Sequence, residues 1–131
     1  MLAKLRSLRP GLRVPAAAVA TAAALALAGC GGGTTITKDG TLRIGLEEYR
    51  VVPQSVHTTA GVLTLVVHNY GRLTHNLVIS LDGHDQIATK PLVPGQTAVL
   101  DAALIPGDYT LSSSILNDQA LGLYGTLAVS R

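Results

Sequence analysis

Beyond residue 40 the chain runs in short alternations of apolar and polar positions, each closed by a cluster of turn-forming residues. The runs are TLRIGL (41–46), SVHTT (55–59), VLTLVVHN (62–69), HNLVISL (75–81), TAVLDA (97–102), DYTLSSS (108–114) and GTLAVS (125–130). A period of two puts successive side chains on opposite faces, so each run predicts a strand with one buried face. Between the runs lie TAG, NYG, DGHD, VPGQ and IPGD. Gly, Asn and Asp tolerate positive φ there, and Pro presets φ at the bend. About seven strands at this spacing, with no sustained helical period, predict an antiparallel Greek-key β-sandwich. Ile115–Gly125 breaks the alternation: ILNDQALGLYG joins two strands without a clean pattern, and loops of that length often carry function. With no Phe and no Trp in the chain, the core must be packed with aliphatic side chains.

The start of the chain obeys a different rule. Residues 1–13 carry Lys4, Arg6, Arg9 and Arg13 and no acid, and Ala16–Ala28 is then apolar except for Thr21. An apolar helix of that length reaches about 20 Å, short of a hydrocarbon core of about 30 Å, so residues 1–29 read as a secretory signal peptide, not a spanning helix. The apolar run closes on LAGC, Leu27–Cys30, which resembles the lipobox of bacterial lipoproteins. That resemblance implies that Cys30 becomes the new N-terminus and carries a diacylglyceryl group on sulfur. The alternative is an ordinary signal peptide followed by an incidental cysteine, which leaves an odd thiol to explain. Residues 30–40 then form a lipidated cysteine and short Gly-rich tether, and residues 41–131 a single domain.

Processing changes the charge. The whole chain has a formal charge of +2, from ten basic and eight acidic residues. Removing residues 1–29 takes four basic residues and no acid, leaving six against eight, or −2. A mildly acidic domain without a basic run offers nothing to nucleic acid. The expected location is the extracytoplasmic face of a cell membrane, held there by the lipid anchor, since two acyl chains suffice where one is marginal.

From about Leu42 to Val129 the chain resembles a small bacterial cupredoxin, the blue-copper sandwich. The resemblance rests on EEYRVVPQSVHTTAGVLTLVVHNYG (47–71), THNLVIS (74–80), the two Pro-Gly turns VPGQTAVL and IPGDYTL, and SSSILNDQALGLYGTLAV (112–129). In that family a His, then Cys-x4-His-x4-Met on the closing loop, hold the copper, with thiolate and two imidazoles in a plane and thioether on the axis. Here His75 matches the first ligand. The cysteine position falls on Ser113, the second histidine on Asp118 and the methionine on Leu123. The loop keeps its length, Gly122 and Gly125, while three ligands are replaced. A serine hydroxyl does not ionise near neutrality, and the only cysteine is Cys30. Type 1 copper is therefore not expected, and the copper site reads as degenerate.

His75 and Asp118 remain as candidates for a weaker copper or zinc site built from nitrogen and oxygen. Otherwise His75 is a relic, hydrogen-bonded to Ser113, Asn76 or backbone. His57 and His68, in strands, read as solvated or singly bonded, and His84 in the DGHD turn as an adventitious surface ligand at most. Ser113, His75 and Asp118 also have the composition of a hydrolytic triad, but no nucleophile elbow or oxyanion-hole glycines accompany them, so no enzyme is expected. The resulting expectation is a cofactor-free binding or structural module of the cell envelope, meeting another envelope protein or a small ligand. The alternative is a weak copper or zinc carrier.

Overall fold

The structure, a computed structural model, describes Gly11, Thr34–Thr35 and residues 39–131. Cys30, the expected signal peptide apart from Gly11, and most of the expected tether lie outside the described residues. Among the described residues no helix is long and apolar enough to cross a membrane.

Two sheets face each other. In chain order the strands are β1 (Thr34–Thr35), β2 (Thr41–Glu47), β3 (Arg50–Val52), β4 (Ser55–Thr59), β5 (Gly61–Asn69), β6 (Val78–Leu81), β7 (His84–Ala88), β8 (Thr97–Leu104), β9 (Gly107–Ser112) and β10 (Tyr124–Ser130), with α1 (Asp118–Leu121) before the last. One sheet runs β1-β4-β10-β9-β6-β7 and the other β3-β2-β5-β8. The sandwich is the expected one, with mixed pairing: β2 with β5, β4 with β10 and β1 with β4 are parallel, and the remaining pairs antiparallel. A parallel neighbour needs a crossing connection. The β2–β5 pair obtains one because β3 and β4 lie between them in sequence, and β4 belongs to the opposite sheet.

The alternation places the core. Leu63, Leu65 and Val67 of β5 are buried between partly exposed neighbours, and Leu127 and Val129 of β10 follow the same rule. Together with Leu42, Ile44 and Leu46 of β2, Val56, Ile79, Leu111 and Leu123 they fill the space between sheets, and Tyr109 is the one aromatic ring in this cluster. Its hydroxyl donates to Ile105 O at 2.9 Å and accepts from Ile105 N at 3.1 Å, clamping the IPGD turn at one end of the sandwich.

Two expectations needed correction. The run HNLVISL is a strand only from Val78; His75 sits before it in a loop, held by a two-way bridge with Leu92 (His75 N to Leu92 O 3.1 Å, Leu92 N to His75 O 2.7 Å). The DGHD cluster turns only at Asp82 and Gly83, because His84 and Asp85 already belong to β7.

Candidate functional site

At the end of the sandwich opposite the tyrosine clamp, the loop before β6 meets the closing loop between β9 and β10. Asn69, the last residue of β5, shapes the first loop. Its amide donates to Leu73 O and Leu92 O, both at 2.8 Å, and its Oδ1 accepts from Gly71 N at 2.8 Å. The bridge to Leu92 then fixes His75, whose ring is fully buried. The closing loop is folded by the short helix α1 and ends on Gly122 (φ 119°), whose absent Cβ would stand 2.7 Å from Tyr49 O. Any side chain there would meet backbone, so only glycine lets the loop lie against the β2–β3 turn. This is what brings Asp118 over His75.

The four positions aligned with copper ligands are thus brought together: His75, Ser113, Asp118 and Leu123 are all buried. Three of them are polar, and Asp118 Oδ2 joins them. It lies 2.7 Å from His75 Nδ1 and 2.8 Å from Ser113 Oγ. With the carboxylate as acceptor, Nδ1 carries the hydrogen. Ser113 Oγ is also 2.9 Å from Asn76 Oδ1, an oxygen already accepting from Ser114 N at 2.9 Å, so the single hydroxyl hydrogen faces two acceptors. Asn76 Nδ2 reaches Ser114 Oγ at 2.9 Å, and Ile115 N donates to Ser113 Oγ at 3.2 Å. The expected partners of His75, Ser113 and Asn76, are therefore corrected: they bond each other, Ser113 also bonds the carboxylate, and the carboxylate alone takes Nδ1.

The other ring nitrogen has no such partner. His75 Nε2 is buried and unbonded, 3.5 Å from Glu48 Oε1, too far for a hydrogen bond. Glu48, in the β2–β3 turn, is held instead by the backbone: its Oε1 accepts from Leu73 N at 2.9 Å and from Arg72 N. Those N–H groups, Leu73 first, hold its carboxyl below the ordinary glutamate value of 4.5, against a smaller opposing effect of desolvation. Glu48 was missed in the sequence because its partners are backbone groups more than twenty residues away.

The fit of a blue-copper ion to these donors is poor. A hydroxyl and a carboxylate replace thiolate and imidazole, an isobutyl group (Leu123) replaces the thioether, and Nδ1 is spent on Asp118. Among the described residues no group of three or more His, Cys, Asp and Glu is placed to hold a metal ion. The triad composition also fails in order: Ser113 bonds the carboxylate, not the imidazole, so no histidine addresses its proton. Of the other histidines, His57 and His84 are exposed, and Asp85 beside His84 accepts from Ser80 Oγ at 2.7 Å. His68 Nδ1 lies 2.6 Å from Thr97 Oγ1, and its ring rests 4.2 Å from that of Tyr70. That pair walls a shallow groove of about 380 Å³ on the outer face of the β3-β2-β5-β8 sheet, floored by Gly45 and edged by Arg43 and Val52. The alternation gave no sign of it, since it exists because Gly45 leaves a gap that Tyr70 covers.

No protein-family model matches the chain, and no curated protein matches it in sequence. Solved structures do match it. Dithionite-reduced auracyanin from the photosynthetic bacterium Roseiflexus castenholzii superposes with a TM-score of 0.66 at 20% identity, over 76% of this chain and 100% of its own. Auracyanin A, a "blue" copper protein of the green thermophilic photosynthetic bacterium Chloroflexus aurantiacus, gives 0.60 at 15% identity, over 74% and 100%. A purple cupredoxin from Nitrosopumilus maritimus gives 0.54 at 18% identity, over 67% and 98%. At these identities the likeness concerns architecture, and the chain has the cupredoxin-like β-sandwich fold.

Proposed function

We propose that this chain is a lipid-anchored cupredoxin-like protein of the bacterial envelope, facing the extracytoplasmic side, that lacks type 1 copper and serves as a non-catalytic binding or structural module. The observation that carries the reading is the occupancy of Asp118 Oδ2 by both His75 Nδ1 and Ser113 Oγ. Apart from His75 Nε2, the buried polar side-chain atoms at the ligand positions bond one another or Asn76. The LAGC motif after the apolar run supports the anchor at Cys30. The outer-sheet groove beside Tyr70 and the exposed residues of the closing loop supply surface for a small ligand or another envelope protein.

A second reading, a weak copper or zinc carrier using His75 and Asp118, draws on the buried, unbonded His75 Nε2 and on the closeness of the two side chains. Titration of the processed protein with Cu²⁺ and Zn²⁺ tests the two. The module is expected to show no one-to-one binding tighter than about micromolar and no intense visible charge-transfer band. Tight binding that Asp118→Ala abolishes would establish the carrier instead.

A further inference from the structure

The start of β1 and the closing loop lie at the same end of the sandwich. β1 is parallel to β4, with Thr34 opposite Val56 and Thr35 opposite His57, and β10 is parallel to β4, with Thr126 opposite Ser55. The chain therefore enters the sheet from the end at which β4 and β10 begin, which is where residues 113–123 close the sandwich. Three residues separate Cys30 from Thr34, and the four steps between them reach at most about 14 Å. Two strand spacings, about 10 Å, separate β1 from β10. A lipid on Cys30 would keep the bilayer within about 14 Å of the start of β1, the end that carries the closing loop.

The side chains at this end suit a lipid surface. Leu116 is 95% exposed and has φ 47°, a left-handed conformation unfavourable for a residue with a Cβ. Leu121, one turn later, is 56% exposed, and Leu73 in the facing loop 52%. Tyr49, whose carbonyl abuts Gly122, and Tyr124 are exposed beside them, a polar-tipped ring type favoured at membrane interfaces. Arg72 in the facing loop and Lys90 between β7 and β8, both exposed, complement anionic headgroups. An apolar tip that is both strained and almost fully solvated gains nothing within the domain.

We infer that the closing loop is a membrane-contact element: Leu116 and Leu121 dip into the headgroup–acyl boundary and fix the domain with its ligand-position end toward the bilayer. This rests on the lipid anchor proposed above. An amphipathic surface of this kind enters about 5–10 Å.

The chain has no tryptophan, so one introduced indole reports alone. Leu116→Trp, Leu121→Trp and, as the opposite-end control, Val62→Trp (69% exposed) are purified from membranes as the full processed protein. Each is reconstituted in phosphatidylcholine–phosphatidylglycerol vesicles with brominated acyl chains, and the mass of Cys30 is checked for diacylglyceryl. Several-fold stronger quenching and blue-shifted emission for Leu116→Trp and Leu121→Trp than for Val62→Trp is the expected result. Equal quenching at all three positions with lipid on Cys30 overturns the contact and leaves the anchor standing. Absence of lipid on Cys30 removes the anchor and the inference with it. Indoles shielded from acrylamide in native membranes, yet untouched by brominated lipid, would assign the loop to a protein partner and overturn the lipid contact.

Discussion

At Asp118 a single oxygen holds two elements together, so its removal is felt at both. Asp118→Ala leaves His75 Nδ1 and Ser113 Oγ without their common acceptor in a buried site, and a loss of about 3 kcal/mol in urea unfolding is expected. Asp118→Asn keeps an acceptor oxygen and is expected to lose clearly less. Glu48 behaves differently because it is partly exposed and bonded to backbone. Its carboxyl titrates below 4.5 when folded, so the stability it confers is complete above the ordinary glutamate value. That stability fades as pH falls through the lower folded value, since the unfolded chain takes up the proton first. Glu48→Gln is expected to be less stable at neutral pH and to lack this acid-side component. Urea midpoints measured between neutrality and pH 3 would show the wild-type and variant curves converging; parallel curves would contradict the assignment.

At the scale of elements, the closing loop depends on two glycines that pack against backbone. A Cβ on Gly122 would press on Tyr49 O and one on Gly125 on Gln54 O, each at 2.7 Å, and Gly122 also has positive φ. Gly122→Ala therefore combines strain with collision and is expected to cost about 2–3 kcal/mol and to raise amide exchange across residues 113–123. Gly45→Ala, whose tight contacts are with the movable Tyr70 ring and which meets Val52 O at an ordinary 3.8 Å, is the contrast and should cost much less. The same distinction explains what could be read in advance. β4, β5, β8, β9 and β10 were legible because each alternates against one core. β3 has three residues and β1 two, too few for a period to emerge. β7 was hidden because, apart from half-buried Ile87, its residues are exposed, so the DGHD cluster read as turn alone. The positions of His75, Ser113, Asp118 and Leu123 were reached through the resemblance to cupredoxins, and the structure buries all four. Their bonding could not be read that way, because which oxygen accepts from which neighbour depends on atoms that tertiary packing brings together. Glu48 and the Tyr70 groove belong to that second class.

For the whole molecule, the anchor hypothesis predicts that Cys30→Ser, which lacks the nucleophilic thiolate, yields a protein without diacylglyceryl by mass spectrometry that fractionates away from processed membrane protein. A serine variant still carrying glycerolipid would refute the lipobox. The short parallel strand β1 then acquires a mechanical meaning. A bilayer pulling on Cys30 draws β1 along its own axis, so its few bonds to β4 are loaded together in shear instead of opening singly. Because β1 is only two residues long, it is the first piece to yield, and β4 stays paired to β10 over five residue pairs. Once β1 is released, the leash runs from Cys30 to Thr41, and its reach rises from about 14 Å to about 38 Å. The strand therefore acts as a reef in the line. With the proposed lipid on Cys30, the paired strand would keep the domain within about 14 Å of the bilayer, and its release would let the domain stand up to about 38 Å away with β4 still paired to β10.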